Sequence, residues 1–319
     1  MKSPFHEGEL ELQRRAGSLE AAGAVGRIVR SQLPPGAGRF LARQRFGVAS
    51  SLEPGGRVWA SLLTGPEGFI GVVDPQMLRL AAAPVTGDPL VENLAARPEL
   101  GLLVLDPRTR QRLRFNGRGL LRPEGLFLVV QQAYGNCPKY IQRREPEPDG
   151  EGPAPGDPRV SRRLDARQQA WLRAADTFFI ASFHPAGGAD ASHRGGFPGF
   201  VRVPGSDLVE FDDYPGNGMF NTLGNLLAYP PAGLLLAHFA SGDLLQLSGH
   251  TEVDAEFRVR FQVESVRETR GASPLRFRFL EYSPANPPSR PAPRGISREL
   301  EGFRQGGTGW ESRSPATTW

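Results

Sequence analysis

The 319-residue chain contains one cysteine, Cys137, and two lysines, Lys2 and Lys139. A single cysteine excludes an internal disulfide and a cysteine-based zinc cluster. The five histidines show no HxxxH or HxH spacing, so the sequence predicts no metal site. No apolar run reaches the roughly 18 residues of a membrane span, and the first residues lack the apolar core of a signal peptide. We therefore expect a cytoplasmic protein without a membrane partner.

The net charge of +4 comes from 38 basic and 34 acidic residues, which are spread along the chain without a basic block. With no RRM, zinc-finger or helix-turn-helix pattern, this balance predicts no nucleic-acid partner. All basic residues except Lys2 and Lys139 are arginine, so a lysine beside Cys137 is unusual in this chain. A lysine ammonium is a compact point charge, whereas an arginine guanidinium is a rigid planar fork. Either Lys139 makes a specific contact to a phosphate or a ring edge that requires an ammonium, or its presence in an arginine-rich chain is due to chance.

An internal repeat divides the chain. Asn93, Pro98 and Gly101 recur 132 residues later as Asn225, Pro230 and Gly233. Several matches in one register predict two modules related by duplication. Segments 88–104 and 113–117 match segments 220–236 and 245–249, each 132 residues later. Segment 58–63 matches 179–184, 121 residues later. We attribute the difference between the two offsets to a longer loop in the second copy.

Short apolar runs bounded by many of the 39 glycines and 30 prolines predict short strands. Antiparallel strands with one short helix per module are typical of a small closed barrel. Strand 101–105 is continuously apolar and should be buried on both faces, whereas strand 112–121 should be half exposed. The predicted strands are 58–64, 69–73, 78–82, 101–105 and 112–121, then 177–183, 199–203, 207–211, 232–239, 244–253, 257–267 and 275–282; the helices are 89–97 and 219–229.

Composition divides the chain into five segments. Residues 9–33 have helical spacing and are expected to pack across both modules, and residues 145–160 are rich in proline and glycine. The segments are an N-terminal helical segment (1–43), module 1 (44–144, ending in Cys-Pro-Lys), a linker (145–163), module 2 (164–283) and a disordered tail (284–319).

Two stretches of module 2 carry residue types that bind phosphate. In residues 190–203, Ser192 and Arg194 precede three glycines within five residues. Glycines let backbone N–H groups approach a ligand, and arginine holds a phosphate bidentately. In residues 211–223, Asn217 lies between two glycines at the predicted start of a helix, where free N–H groups suit a phosphate. Taken singly, the two stretches are better explained as a tight hairpin and an asparagine cap.

Together these stretches carry a family pattern: S-x-R-G-x-x-P-G-F-V at 192–201, D-x-P-G-N at 213–217 and T-L-x-N-x4-P-x-x-G-L-L at 222–235. This pattern resembles the pyridoxamine 5′-phosphate oxidase-like family of FMN-binding split barrels. Cys137, Lys139 and Arg143 are similar to a C-x-K-x3-R element that some members carry after the barrel. Because family members are typically homodimers with flavin at the subunit interface, the resemblance implies a mainly β fold with short helices, in which two split β-barrel modules form an intrachain pseudo-dimer.

The resemblance also implies a single composite FMN site, since the Cys-Pro-Lys element follows only module 1 and the other motifs belong only to module 2. Arg194, Asn217 and Lys139 would neutralise the phosphate, and Gln246 would bond a ring carbonyl. The backbone of residues 200–202 would line the isoalloxazine, and a second interface site would be empty or structural. The implied cofactor-binding residues are Lys139, Tyr140, Arg143, Ser192, Arg194, Gly195, Phe200, Val201, Arg202, Asn217, Met219, Thr222 and Gln246.

The chain departs from the oxidase proper at two motifs. Gly218 and Met219 stand where that enzyme has an Arg/Lys pair, and its C-terminal Arg- and Trp-containing motif is not found, so oxidation of pyridoxamine phosphate is not expected. The predicted function is an FMN-dependent oxidoreductase acting on a small molecule with NADH or NADPH as donor. The alternatives are a non-catalytic flavin or haem carrier or sensor, and an F420-dependent reductase.

No catalytic residue is assigned from the sequence. His193 is either a proton donor near the flavin or a hydrogen-bonding surface residue. Cys137 is expected to be a packing neighbour rather than a nucleophile. The chain is expected to be a pseudo-dimeric monomer or a homodimer.

Overall fold

A computed structural model describes residues 3–82, 84–135, 137–148 and 155–288. These residues form mainly antiparallel β structure with few, short helices, as the sequence predicts. The helices are α1 (Glu7–Arg15), α2 (Leu19–Gly26), α3 (Ala37–Leu41), α4 (Leu90–Ala96), α5 (Ala166–Ala174) and α6 (Asn221–Ala228). The strands are β1 (Phe46–Leu52), β2 (Val58–Thr64), β3 (Ile70–Asp74), β4 (Met77–Leu80), β5 (Glu99–Asp106), β6 (Gln111–Arg122), β7 (Gly125–Gly135), β8 (Arg143–Glu147), β9 (Arg159–Ser161), β10 (Thr177–His184), β11 (Gly188–Gly195), β12 (Val201–Gly205), β13 (Leu208–Asp212), β14 (Pro231–Ala237), β15 (Leu244–Val253), β16 (Arg258–Thr269) and β17 (Arg276–Glu281).

Two large sheets repeat one strand order. The first runs β2-β1-β5-β6-β7-β4-β3, and the second runs β11-β10-β14-β15-β16-β13-β12, with β9 added beside β16. A short helix, α4 or α6, precedes β5 and β14 respectively. Both sheets also change register at the same point, after Asn116 in β6 and after Ser248 in β15. The halves therefore share topology in detail, including an irregularity that a glycine accommodates in each.

Strand pairing corrects one part of the repeat. Ser50 pairs with Gly101 as Ala181 pairs with Gly233, so β1 is the counterpart of β10 and β2 of β11. The equivalent residues lie 131 positions apart, and the match of residues 58–63 to 179–184 is wrong. It arose because β1 was not predicted: its Gly, Ala and Ser residues give no apolar run, although all its residues are buried.

The two sheets pack against each other with β11, at the edge of one sheet, against β5 of the other, and with the edge strand β2 against β14. A Cβ at Gly101 of β5 would lie 2.7 Å from the Ala189 carbonyl oxygen, and one at Gly233 of β14 would lie 2.8 Å from that of Val58. An apolar cluster shared by both halves fills this contact, and each half has its own core besides. Because the two sheets lie so close together, residues 114–117 of β6 are buried rather than half exposed. Strand β5 is buried on both faces, as predicted.

The N-terminal segment forms three short helices rather than one. Helix α1 packs on α6, and the Arg30 backbone pairs with that of Ala133 in β7, so this segment contacts both halves. Part of the predicted linker is a strand: β8 pairs with β17 in a separate two-stranded sheet. Residues 149–154 of the linker and residues 289–319 of the tail lie outside the described residues.

Within the described ranges, no helix is both long and apolar enough to cross a bilayer.

Candidate functional site

A cavity of about 450 Å³ lies between the two halves of the chain. Module 1 contributes β6 and the β7–β8 connection, module 2 contributes β11, the segment 212–220 and the start of α6, and the N-terminal segment adds Ala16 and Ser18. Such a volume is within the range of small-molecule and cofactor sites, roughly 300–1,000 Å³. Of the residues expected to bind a cofactor, those lining it are Lys139, Tyr140, Ser192, Arg194, Gly195, Phe200, Asn217 and Thr222.

The Cys-Pro-Lys element reaches the module 2 motifs through Tyr140. This residue has a left-handed backbone, with φ of 68°, and its hydroxyl donates a 2.6 Å hydrogen bond to the Pro215 carbonyl. Its ring lies 5.3 Å from that of Tyr214. Cys137 and Lys139 are thereby held on the cavity wall opposite the Asp-Tyr-Pro-Gly-Asn segment.

Two arginines in the wall are neutralised by carboxylates. Arg114 of β6 is buried and pairs with Asp190 of β11 at 3.1 Å. Arg194 of β11 is half-buried and pairs with Asp213 at 3.1 Å. Both guanidiniums also donate to the Ser192 hydroxyl, at 2.8 and 3.1 Å. Ser192 therefore links one arginine from each half of the molecule.

Two further cations have no carboxylate partner among the described residues. Arg112 of β6 is half-buried and donates to His193 Nδ1, 3.3 Å away, and Lys139 is exposed at the cavity rim. Burial and the neighbouring charges of Arg114 and Arg194 lower the pKa of Arg112 to about 9. The Nε atoms of Arg112, Arg114 and Arg194 are buried without a hydrogen-bond partner in this part of the chain. The cavity is thus an electropositive site with unused donors.

His193 lies on β11 and is buried in the cavity wall. Because an arginine can only donate, the contact from Arg112 requires His193 Nδ1 to accept, which leaves the ring proton on Nε2. Burial and the charges of Arg112 and Arg194 hold the pKa of His193 well below its usual range. His193 is therefore a neutral, buried Nε2–H donor and not a surface residue.

Aromatic side chains form the remaining walls. Tyr140 and Tyr214 lie on one side, and Phe220 stacks on Phe257 with ring centroids 5.3 Å apart. Phe220 has φ of 58° and directly precedes α6, so the helix begins at Asn221 rather than at residue 219. A planar ligand group beside the basic cluster would therefore meet aromatic surface.

Five expected residues lie away from this cavity. Val201 is in the core of module 2, and Met219 is buried in a cluster that includes Tyr134. Arg202 pairs with Asp212, and Arg143 on β8 lies 3.4 Å from Glu281. Gln246 is buried elsewhere, donating to the Ala60 carbonyl and to Asp88. Of the expected cofactor-binding residues, the structure therefore places Arg143, Val201, Arg202, Met219 and Gln246 outside the lining of this cavity.

The position of Gln246 away from this cavity follows from the symmetry of the fold. Arg114 and Gln246 are equivalent, since they pair with equivalent residues Leu103 and Leu235. Sequence reasoning selected the glutamine and missed both Arg112 and Arg114. A signal was available: the repeat aligns Arg112 with Leu244 and Arg114 with Gln246, so charge occurs in only one copy.

The equivalent position at the other side of the interface lacks two of the arginines. Leu63 and Leu244 stand in place of Arg194 and Arg112, and both are buried. Ser61, the counterpart of Ser192, donates to Asp88, whose pKa burial raises. The basic cluster is therefore built on one side only.

No family model matches the chain, and no curated protein matches it. Among solved structures, an F420 reductase is 18% identical with a TM-score of 0.23, covering 31% of this chain and 95% of its own. A variant of HupZ from Group A Streptococcus is 10% identical with a TM-score of 0.26, covering 32% of this chain and 98% of its own. The motility inhibitor MotI/DgrA of Bacillus subtilis is 10% identical with a TM-score of 0.20, covering 70% of this chain and 87% of its own. Likenesses this low carry no argument about function.

Proposed function

We propose that the chain binds FMN in the cavity between its two halves and is an FMN-dependent oxidoreductase acting on a small molecule. The observation that carries the proposal is the pair of uncompensated cations, Arg112 and Lys139, beside the carboxylate-paired Arg194. A phosphate monoester carries a charge of about −1.5 to −2 near neutral pH. One such group would balance the two unpaired cations.

The cavity residues fit a phosphorylated cofactor in kind as well as in charge. The three arginines have buried Nε donors without partners among the described residues, and charge-assisted hydrogen bonds from arginine to phosphate are among the strong ones. Ser192 adds a hydroxyl between Arg114 and Arg194. The tyrosine pair and Phe220 offer aromatic surface to a planar ring. We assign phosphate binding to Arg112, Arg194 and Lys139, with Arg114 positioning Ser192.

In this proposal the two halves are duplicated split-barrel modules that form an intrachain pseudo-dimer with one flavin site. The shared strand order and shared bulge position support a duplication. Leu63 and Leu244, in place of two arginines, support the loss of the second site. The chain would then bind one FMN, and a monomer would suffice for a complete site.

When bound, FMN would supply the hydride and electron transfer, while the protein supplies position and electrostatics. His193 would offer a neutral N–H group in the wall, and the arginines would hold the phosphate end. The described residues contain no group of three or more His, Cys, Asp or Glu that could hold a metal ion. A carrier or sensor without turnover, and a deazaflavin reductase, are distinguished by experiment.

The test is the visible spectrum of the purified full chain, before and after addition of FMN. A yellow protein with one flavin per chain, bleached by NADH or NADPH without oxygen and recovered in air, is expected. A yellow protein that neither donor bleaches would be a carrier. A colourless protein that takes up no FMN, or one that binds two per chain, would overturn the proposal.

A further inference from the structure

A second cavity, of about 220 Å³, lies on the other side of the Arg114–Asp190 ion pair. Its lining includes His6 and Glu9 of the N-terminal segment, Asn116 of β6 and Asp190 of β11, and β7, β10 and α6 also contribute to it. None of the arginine and lysine residues that line the first cavity lines this one. Its chemistry is accordingly different.

Two side chains in this cavity leave an acceptor unused. Asn116 is 5% exposed and Asp190 is 3% exposed. Asn116 Nδ2 donates to Asp190 Oδ1, which also receives Arg114 Nη1. This arrangement fixes the amide orientation of Asn116, and Asn116 Oδ1 and Asp190 Oδ2 remain without partners among the described residues. Unsatisfied buried acceptors are costly, so two in one cavity call for a donor.

His6 adds a third acceptor. The Asn225 amide donates to Ser182 through Nδ2, so its Oδ1 must accept, and it receives His6 Nε2–H at 2.9 Å. The other ring nitrogen, Nδ1, is then an acceptor, and it has no partner in the described part of the chain. The ring is held flat against that of His184, with centroids 3.8 Å apart.

The charged residues around the cavity also favour a ligand with donors and a positive charge. Glu9 and Asp190 are buried carboxylates, and Arg114 is the guanidinium that binds Asp190 from the side of the first cavity. Burial and the neighbouring His184 lower the pKa of His6 to about 4, so the ring is neutral near pH 7. Asp190 is already paired with Arg114, and burial raises the pKa of Glu9 to about 7. A ligand entering this cavity would therefore meet three unused acceptors and the partly ionised Glu9 carboxyl, with no unpaired cation among the described residues.

We infer that this second cavity binds a small organic cation with several N–H donors, of the amidinium or primary ammonium class. Its N–H groups would satisfy Asn116 Oδ1, Asp190 Oδ2 and His6 Nδ1, and its charge would offset the excess carboxylate. This inference does not rest on flavin binding in the first cavity.

The test uses two probes of similar shape and opposite charge, benzamidine and benzoate, in calorimetric titrations of the full chain. Benzamidine is expected to bind with a stoichiometry of one, and benzoate is expected not to bind. Asn116→Leu, which removes an acceptor at similar size, and His6→Phe, which keeps a flat ring, should each weaken benzamidine binding about tenfold or more.

Matched controls separate this site from the first cavity. Ser248 is the counterpart of Asn116 in the other half, and its buried hydroxyl also lacks a partner among the described residues. Ser248→Ala and Arg112→Met should both leave benzamidine binding unchanged. The inference is overturned if benzamidine does not bind, if benzoate binds equally well, or if His6→Phe, which alters only the N-terminal segment, has no effect.

Discussion

Arg114 of β6 donates a 2.8 Å hydrogen bond to the Ser192 hydroxyl of β11, joining the two halves of the chain across their interface. The counterparts of these residues are Gln246 and Ser61, and both of them donate to Asp88 instead. Two equivalent positions of the fold therefore differ in charge and accessibility. One is basic and lines an open cavity, and the other is buried around the Asp88 carboxylate.

Arg112→Met is expected to weaken FMN binding roughly ten- to hundredfold, because a charge-assisted hydrogen bond contributes about 1.5–3 kcal/mol. Methionine keeps most of the side-chain length and removes the charge. Fluorescence titration of FMN measures the dissociation constant. The control is Arg143→Met, which removes an arginine that pairs with Glu281 outside the cavity. Equal losses in the two variants would contradict a specific role for Arg112.

His193 is expected to remain neutral, with its proton on Nε2, as the pH falls through 6.5, the ordinary midpoint of a histidine. Burial and the charges of Arg112 and Arg194 lower its pKa well below 6.5. Nitrogen-15 NMR of the imidazole distinguishes the two neutral tautomers and the imidazolium. A midpoint near 6.5 would restore His193 as a charged proton donor and would refute this description of its surroundings.

Glu9→Gln is expected to stabilise the protein more at pH 8 than at pH 5. Burial raises the pKa of Glu9 from 4.5 to about 7, so the native state binds more protons than the unfolded state between these values. The contribution of Glu9 to stability is therefore complete below pH 4.5 and is lost as the pH rises through about 7. The lost contribution amounts to about 3 kcal/mol.

Glutamine avoids this loss because it does not ionise. Urea unfolding of both proteins at the two pH values measures the difference in free energy. Glu7→Gln changes an exposed residue two positions earlier on α1 and is the control. A difference between Glu9→Gln and the parent that does not change with pH would show that Glu9 is ionised normally.

Gly101→Ala is expected to destabilise the protein by about 1–3 kcal/mol, the usual cost of overpacking. The new methyl group would lie 2.7 Å from the backbone of Ala189 and Asp190 in the opposite sheet, where no side chain can move aside. Gly23→Ala is the control, since a Cβ there meets nothing within 4 Å. It lies within α2, where alanine is favoured over glycine by up to about 1 kcal/mol. Similar effects of both changes would argue against the close contact of the sheets.

Most strands with branched apolar residues were predicted from the sequence, and so were the short helices α4 and α6. Strand β7 and helix α5 were not predicted. Strands β1 and β11 could not be predicted, because small and polar residues dominate them although they are buried. Their burial comes from the other half of the molecule, which residue periodicity does not report. Residues 190–195 were accordingly taken for a ligand loop, whereas they form part of β11.

The site could be predicted in part, for a related reason. Ser192, Arg194, Asn217 and Lys139 were found because motifs mark them, and the structure brings all four to one cavity. Arg112 and Arg114 carry no motif and occur in a strand with ordinary alternation. Only the pairing of the two halves distinguishes Arg114, which lines the cavity, from its counterpart Gln246, which does not.

The most direct test of the central claim compares FMN with riboflavin, which lacks the phosphate, in equilibrium titrations of the full chain. If Arg112, Arg194 and Lys139 hold the phosphate, riboflavin should bind at least about a hundredfold more weakly than FMN, since more than one charge-assisted hydrogen bond is lost. Equal affinity for the two compounds, or no binding of either, would contradict the account.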